Sequence, residues 1–214
     1  MGQKERRQRE KMQRRTQILN AARALLLKEG FSRTSVNKIS KKAELSIGSI
    51  YFYFTNKAEI FASLQQEGLE ILHTYLVSET EGVSDPRVQL QKGAEAYYQF
   101  SRAQKDYFDV INYFLSSPQV FFSEDVNRTI GSKGLLILEQ IAGIIRQGNV
   151  QKVFDEPYPN NFAVFFWSCL HGLVQIRKLQ GVIIESDDYF QFFQYSVHKL
   201  IESIKFREVT DDNA

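Results

Sequence analysis

No proline occurs in this sequence before residue 86, and the other three stand at 118, 157 and 159. Proline removes a backbone donor and clashes with the preceding helical turn, so the intervals it leaves open limit how long the helices of a chain can be. Here the intervals are long. They are filled with Leu, Ile, Phe, Glu, Lys and Gln between sparse glycines, a mixture that favours long helices over many short strands. The expected fold class is all-α.

A chain of 214 residues can bury a substantial core without disulfide or metal staples. Its 43% hydrophobic and 24% charged residues are those of an ordinary globular protein, neither disordered nor membrane-embedded. No run approaches the roughly 18 to 20 apolar residues of a membrane helix. The charged opening has no apolar core like that of a signal peptide, so the expected location is the cytoplasm, with no membrane partner. The single Cys169 cannot close an intramolecular disulfide and reads as a small buried hydrophobe. Three scattered histidines lack metal-ligand spacing, so neither a metal nor a cofactor is expected. A phosphate loop, a Gly-x-Ser-x-Gly elbow and a nucleophile beside a base are all missing, which argues against an enzyme.

The net charge of +2 conceals a division within the chain. Residues 1–57 carry 14 Lys and Arg against four Glu, a net of +10, while the remainder carries 13 basic and 21 acidic residues, a net of −8. A basic head on an acidic body suggests that the head meets a polyanion and the body does not. The boundary is accordingly set after Lys57, with a head at 1–57 and a body at 58–214.

The opening from Lys4 to Arg15 is almost devoid of apolar residues and is expected to be a frayed arm when alone. From about Arg15 to Glu29, Ile18, Leu19, Ala22, Leu25 and Leu26 recur at helical spacing, and Gly30 supplies a stop. Phe31 is placed to fold back on that helix. Thr34 or Ser35 can cap a short second helix to Lys42, with Val36, Ile39 and Ala43 inward. After a turn at 43–45, Ser46 can cap a third helix with Ile50 and Phe54 inward, and Asn56-Lys57 opens a fourth to about Ser78. A short helix, a tight turn and a second short helix in a basic segment form the arrangement that enters a major groove. A plain three-helix packing module with a solvated positive face fits the same pattern. Further on, helices are expected from Pro86 to about Gln104, from Asp106 to Leu115, from Ser123 to Gly148, over the stripe from Phe162 to Val174 with Gly181 as its stop, and from Ser186-Asp187-Asp188 onward. Residues 155–160 read as a loop.

The run Thr34-Ser35-Val36-Asn37-Lys38-Ile39-Ser40-Lys41-Lys42-Ala43, followed by Leu45-Ser46-Ile47-Gly48-Ser49-Ile50-Tyr51-Phe52-Tyr53-Phe54-Thr55-Asn56-Lys57, resembles the TetR repressors. The likeness extends to Gly30-Phe31 upstream and Ala58-Glu59-Ile60-Phe61 downstream, about the first third of the chain. One departure is Glu44, where members often have glycine in the turn. The resemblance implies an N-terminal three-helix helix-turn-helix DNA-binding domain and a C-terminal helical ligand-binding and dimerisation domain. It places Ser46, Ile47, Gly48 and Ser49 at the start of a recognition helix facing base edges and phosphates. Tyr51 and Tyr53 present hydroxyls to the DNA backbone, Lys57 adds charge, Ser35 contacts a phosphate and Asn37 reads a base. Each has a plainer reading: Asn37 as a surface residue, Ser35 as a cap only, Tyr51 as core. The arm's arginines either track phosphates or enter a minor groove, or are a solvated run.

The same resemblance implies a homodimeric repressor of a double-stranded operator, released by a small, mostly apolar effector. The alternative is a ligand-independent dimeric regulator or an architectural DNA protein. Candidate pocket residues are Tyr97, Phe100, Tyr113, Phe114, Trp167 and His171, with Gln140 or Arg146 offering further polar contacts, although aromatics at helical spacing are also ordinary core. The two last helices carry wide apolar stripes, so Phe166, Leu170, Leu173, Phe193, Val197 and Leu200 are the expected dimer contacts, with Gly172 permitting close approach.

Overall fold

The computed structural model describes residues 2–182, 184 and 188–206. Among them lie nine α-helices and no sheet, only the isolated bridges of Phe154 with Lys205 and of Gln180 with Ile184. The helices are α1 (Gln3–Arg33), α2 (Val36–Lys42), α3 (Ile47–Tyr53), α4 (Lys57–Thr80), α5 (Pro86–Ala103), α6 (Lys105–Leu115), α7 (Glu124–Val150), α8 (Pro159–Ile176) and α9 (Tyr189–Glu202). They form two compact units interleaved along the chain, Met1–Glu70 with Gln104–Lys133 and Ile71–Ala103 with Gly134–Ala214. Helices α4 and α7 contribute to both, so the compact units do not follow a single cut after Lys57.

The first unit is built on the apolar stripe of α1. Ile18, Leu19, Ala22 and Leu26 are buried as their spacing requires, together with Ile39, Ile50, Phe54 and Phe61. The arm is helical from Gln3, contrary to the frayed opening expected from its lack of apolar residues. Its Lys, Arg, Glu and Gln are good helix formers with no glycine or proline between Gln3 and Glu29, and Arg6 pairs with Glu10 one turn on, at 2.9 Å.

Gly30 turns the chain as expected, with φ 79° and ψ 169°, a region open essentially to glycine alone. The helix resumes for Phe31–Arg33, and the Phe31 ring enters an aromatic cluster, its centroid 5.2 Å from Phe61 and 4.9 Å from Phe121. The Phe31 N–H donates to the Tyr113 hydroxyl at 2.9 Å. A Cβ on residue 30 would stand 3.2 Å from that same oxygen.

In the second unit, α5, α8 and α9 pack on one another through Leu90, Ala94, Tyr98, Phe166, Phe193 and Val197, all buried. Two glycines act differently from their sequence reading. Gly148 does not end α7, which runs on to Val150; instead the Phe154 ring presses against it so closely that a Cβ there would lie 2.1 Å from Phe154 Cδ2. Helix α8 ends at Ile176 rather than at Gly181, giving way to a 3-10 turn at Arg177–Leu179. Helix α8 also starts earlier than its aromatic stripe, because Pro159 suits a first helical position whose N–H has no partner in any case. Asp188 caps α9, accepting from the Phe190 N–H at 2.9 Å, while Ser186 and Asp187 lie outside the described residues.

Replacing Gly30 with Ala is expected to lower stability by about 1 to 3 kcal/mol, through the disallowed backbone region and the contact with Tyr113. Thermal melting by circular dichroism checks this, and an unchanged midpoint contradicts it.

Candidate functional site

The short helices of the first unit are delimited by side chains rather than by packing. Ser35 accepts from the Lys38 N–H at 3.3 Å and starts α2, while Ser46 accepts from the Ser49 N–H at 3.0 Å and starts α3. Between them Glu44 takes φ 53°, which costs a non-glycine residue on the order of 1 kcal/mol. The turn keeps its shape nevertheless. The Leu45 N–H reaches the Ser40 carbonyl at 3.0 Å, and the Gln17 amide donates to the Ala43 carbonyl at 2.7 Å, tying the turn to α1.

Ile39, Ala43, Ile50 and Phe54 point inward from this element. Ser35, Asn37, Ser46, Ile47, Gly48 and Tyr51 are exposed, and Ser49 and Tyr53 lie at the surface of the same segment, Tyr53 half-buried. The helix-turn-helix thus brings all the candidate DNA contacts except Lys57 into one short segment and turns none of them fully inward. Ser46 and Ser49 also share a hydroxyl hydrogen bond of 2.8 Å, so each has a local partner. Phe52 joins this surface without having been expected there. It is 73% exposed, the most solvent-facing aromatic of α3. The signal is present in the sequence: in a helix whose Ile50 and Phe54 face the core, position 52 falls on the far side.

Lys57 has a different place from the one the sequence suggested. Its ammonium donates to the carbonyls of Phe31 and Thr34 at 3.0 and 3.1 Å and lies 4.0 Å from the Phe31 ring centroid. Burial pulls its pKa below the ordinary lysine range, whereas two carbonyls and an aromatic face favour the cation. The geometry makes Lys57 a tie between the start of α4 and the end of α1. Lys38 is likewise engaged, with both Glu29 oxygens at 3.0 and 2.9 Å, while Lys41 and Lys42 at the end of α2 sit at the surface.

The family profile of bacterial regulatory proteins of the tetR family matches residues 18–64, the segment that holds the capped pair α2 and α3. Over this segment the chain is similar to the TetR family. It is 37% identical over 79 residues to the HTH-type transcriptional regulator TtgR of Pseudomonas putida, covering 36% of this chain and 37% of that protein. To the HTH-type transcriptional regulator HbdR of Aromatoleum it is 31% identical over 94 residues, 44% of this chain and 41% of that one. The chain therefore spans about two fifths of the length of these curated relatives. The TetR family transcriptional regulator PfmR from Thermus thermophilus superposes with a TM-score of 0.67 at 22% identity, covering 86% of this chain and 96% of PfmR, a likeness of fold.

The second unit holds a narrow, largely apolar cleft with about 20 Å³ of free space, room for about one water. Of the six expected pocket residues, Tyr97 and Trp167 line it. Phe100 is fully buried beside Tyr75. His171 stacks on Trp167 and meets the Tyr97 hydroxyl through Nδ1 at 2.8 Å. Burial lowers the His171 pKa and raises that of Tyr97, and the His171 tautomer sets which of the two donates. Tyr113 and Phe114 belong instead to the aromatic cluster of the first unit, around Phe31 and Phe121. Arg146 is exposed and engages Asn160 and Glu139, away from the cleft. Gln140 does line it, donating from Nε2 to Thr80 Oγ1 at 3.0 Å.

The expected dimer contacts require correction. Phe166, Leu170, Phe193 and Val197 are at most 2% exposed within their own unit, and Leu200 is half-buried while Leu173 sits toward the margin of the same stripe. The stripe is apolar as expected but faces the core of a single chain. The solvent-facing apolar positions are Val164, Phe165, Ile176 and Tyr195, with Gly172 also exposed. Cys169 is half-buried rather than buried, and burial raises its thiol pKa. Among the described residues no helix is long and apolar enough to cross a membrane.

Replacing Lys57 with Met leaves the Phe31 and Thr34 carbonyls without their donor. A decrease of about 1 to 2 kcal/mol in stability is expected with no DNA present. A melting midpoint equal to that of the parent would return Lys57 to the surface.

Proposed function

We propose that this chain is a sequence-specific DNA-binding transcriptional regulator of the cytoplasm, acting as a homodimeric repressor. The observation that carries the reading is the composition of the outward side of α3. Ile47, Gly48 and Tyr51 are exposed there beside the exposed Asn37 of α2, in a segment with a net charge of +10 over residues 1–57. Methyl groups, hydroxyls and an amide are the groups that read base edges and phosphates, and positive charge supplies the sequence-independent part of the affinity. Ser35, Ser46, Ser49 and Tyr53 take supporting roles, Ser35 and Ser46 as caps whose oxygens also face phosphates. Residues 1–57 are assigned to DNA and 58–214 to dimerisation and ligand response.

Gly48 supports this reading in a specific way. Nothing in the chain demands glycine there: its φ is not positive, and a Cβ would meet only Ser46 Oγ, at 3.9 Å. Glycine inside a helix is a liability of up to about 1 kcal/mol relative to alanine. Close approach of a duplex accounts for its presence. The names of TtgR and HbdR, both transcriptional regulators, agree with the assignment.

For the second copy, the exposed apolar side of α8 and α9 around Val164, Phe165, Ile176 and Tyr195 is the surface to be covered. The effector is assigned to the cleft beside Tyr97 and Trp167. A ligand that binds the DNA-incompetent state better weakens operator binding by its differential affinity for the two states.

Gly48→Ala separates a groove-facing α3 from a merely solvated one. The variant is expected to melt at an equal or higher temperature than the parent and to bind a selected operator at least tenfold more weakly by fluorescence anisotropy. Unchanged affinity removes α3 from the interface. Removing residues 1–14 is expected to reduce the slope of log affinity against log salt by about 0.9 for each phosphate that the arm neutralises; an identical slope makes the arm a bystander.

A further inference from the structure

The cleft is lined almost wholly by apolar groups, among them Leu76, Tyr97, Ile141 and Trp167, yet two glutamines stand in its wall. Gln89 Oε1 and Gln140 Oε1 are both buried and accept no hydrogen bond from a donor among the described residues. The Gln89 amide cannot relieve this by rotating end for end. Gln89 donates from Nε2 to the Val83 carbonyl at 2.7 Å, and a carbonyl only accepts. Gln140 donates to Thr80 Oγ1, whose own proton goes to the Leu76 carbonyl at 2.8 Å. The Val83 carbonyl fixes the Gln89 amide, and in this arrangement both amide oxygens are acceptors awaiting a donor.

Among the described residues no Lys, Arg, His, Asp or Glu lines the cleft. A carboxylate would meet two more acceptors and no cation, and an ammonium would be desolvated without a counter-charge. Water can serve the two oxygens while the cleft is empty of ligand, but a ligand that displaces it must replace its donors. The cleft as it stands has about 20 Å³ of free space, room for about one water, so even a compact occupant must part its walls.

We infer that the effector is a compact, uncharged, mostly apolar molecule carrying a hydroxyl or N–H donor, recognised by Gln89 and Gln140 and not by a charged anchor. This rests on the cleft being the effector site. The two acceptors narrow a broad apolar class to neutral donors and exclude free carboxylic acids at neutral pH.

Trp167, the single tryptophan of the chain, lines the cleft and provides the readout. Its fluorescence is titrated in the full-length protein with cyclohexylmethanol, the methyl ether of that alcohol, and cyclohexanecarboxylate, three probes of similar bulk. The alcohol is expected to bind about tenfold tighter than either of the others, because only it offers a proton to a buried acceptor that otherwise goes unpaired. Gln89→Leu and Gln140→Leu, made separately so that either folded variant suffices, are expected to shrink that preference to about twofold while the ether still binds. An ether or carboxylate that binds as tightly as the alcohol overturns the donor rule and leaves the cleft as the effector site. Trp167 emission indifferent to all three probes overturns the effector site and the donor rule together. A preference for the alcohol that survives both substitutions overturns the assignment to the two glutamines.

Discussion

The backbone of Phe31 is the constraint on which the helix-turn-helix depends. Its N–H is held by the Tyr113 hydroxyl of α6, its carbonyl by the Lys57 ammonium at the start of α4, and its ring by Phe61 and Phe121. Lys57 also holds the Thr34 carbonyl, one residue before the Ser35 cap that begins α2. The direction in which α2 leaves α1 is thus fixed from both sides of the peptide chain. A residue with a Cβ at position 30 would disturb the corner twice, through its backbone angle and through the Tyr113 oxygen. Because α3 follows α2 through a turn of fixed shape, the posture of Ile47, Gly48 and Tyr51 is inherited from that corner.

The helices were legible because each carries its own signals. Apolar spacing gave the inner side of α1, the hydroxyl caps gave the starts of α2 and α3, and Pro86 opened α5 as expected. What stayed hidden depends on which neighbour a side chain meets. The stripe of Phe166, Leu170, Phe193 and Val197 is apolar at helical spacing whether it faces its own core or a second copy, so periodicity alone could not choose between them. Tyr113 and Phe114 look like pocket residues by composition, yet the partner that claims them, Phe31, lies about eighty residues away in the chain. Gly148 reads as a helix stop until Phe154 is seen pressed against it.

Lys57 shows the same limit for charge. In a basic segment every cation invites assignment to phosphate, but a lysine that finds two carbonyls and an aromatic face satisfies itself within the fold. The proposed recognition surface is consequently less cationic than the sequence count suggests, and it presents Ile47, Gly48, Tyr51, Phe52 and Asn37 to solvent. Glu44 marks the opposite case. The turn tolerates a left-handed glutamate because Ser40, Gln17 and the two caps fix the chain on either side of it.

A helix-turn-helix carried in duplicate meets DNA at two half-sites, and the spacing between them is set by the helical repeat of the duplex. Selection of bound fragments from a random-sequence pool, followed by sequencing, tests this directly. The expected product is a near-palindrome whose half-sites are centred about 10 base pairs apart, or a multiple of that. A pool that stays random through successive rounds, or that converges on an isolated half-site bound by one copy, contradicts the account.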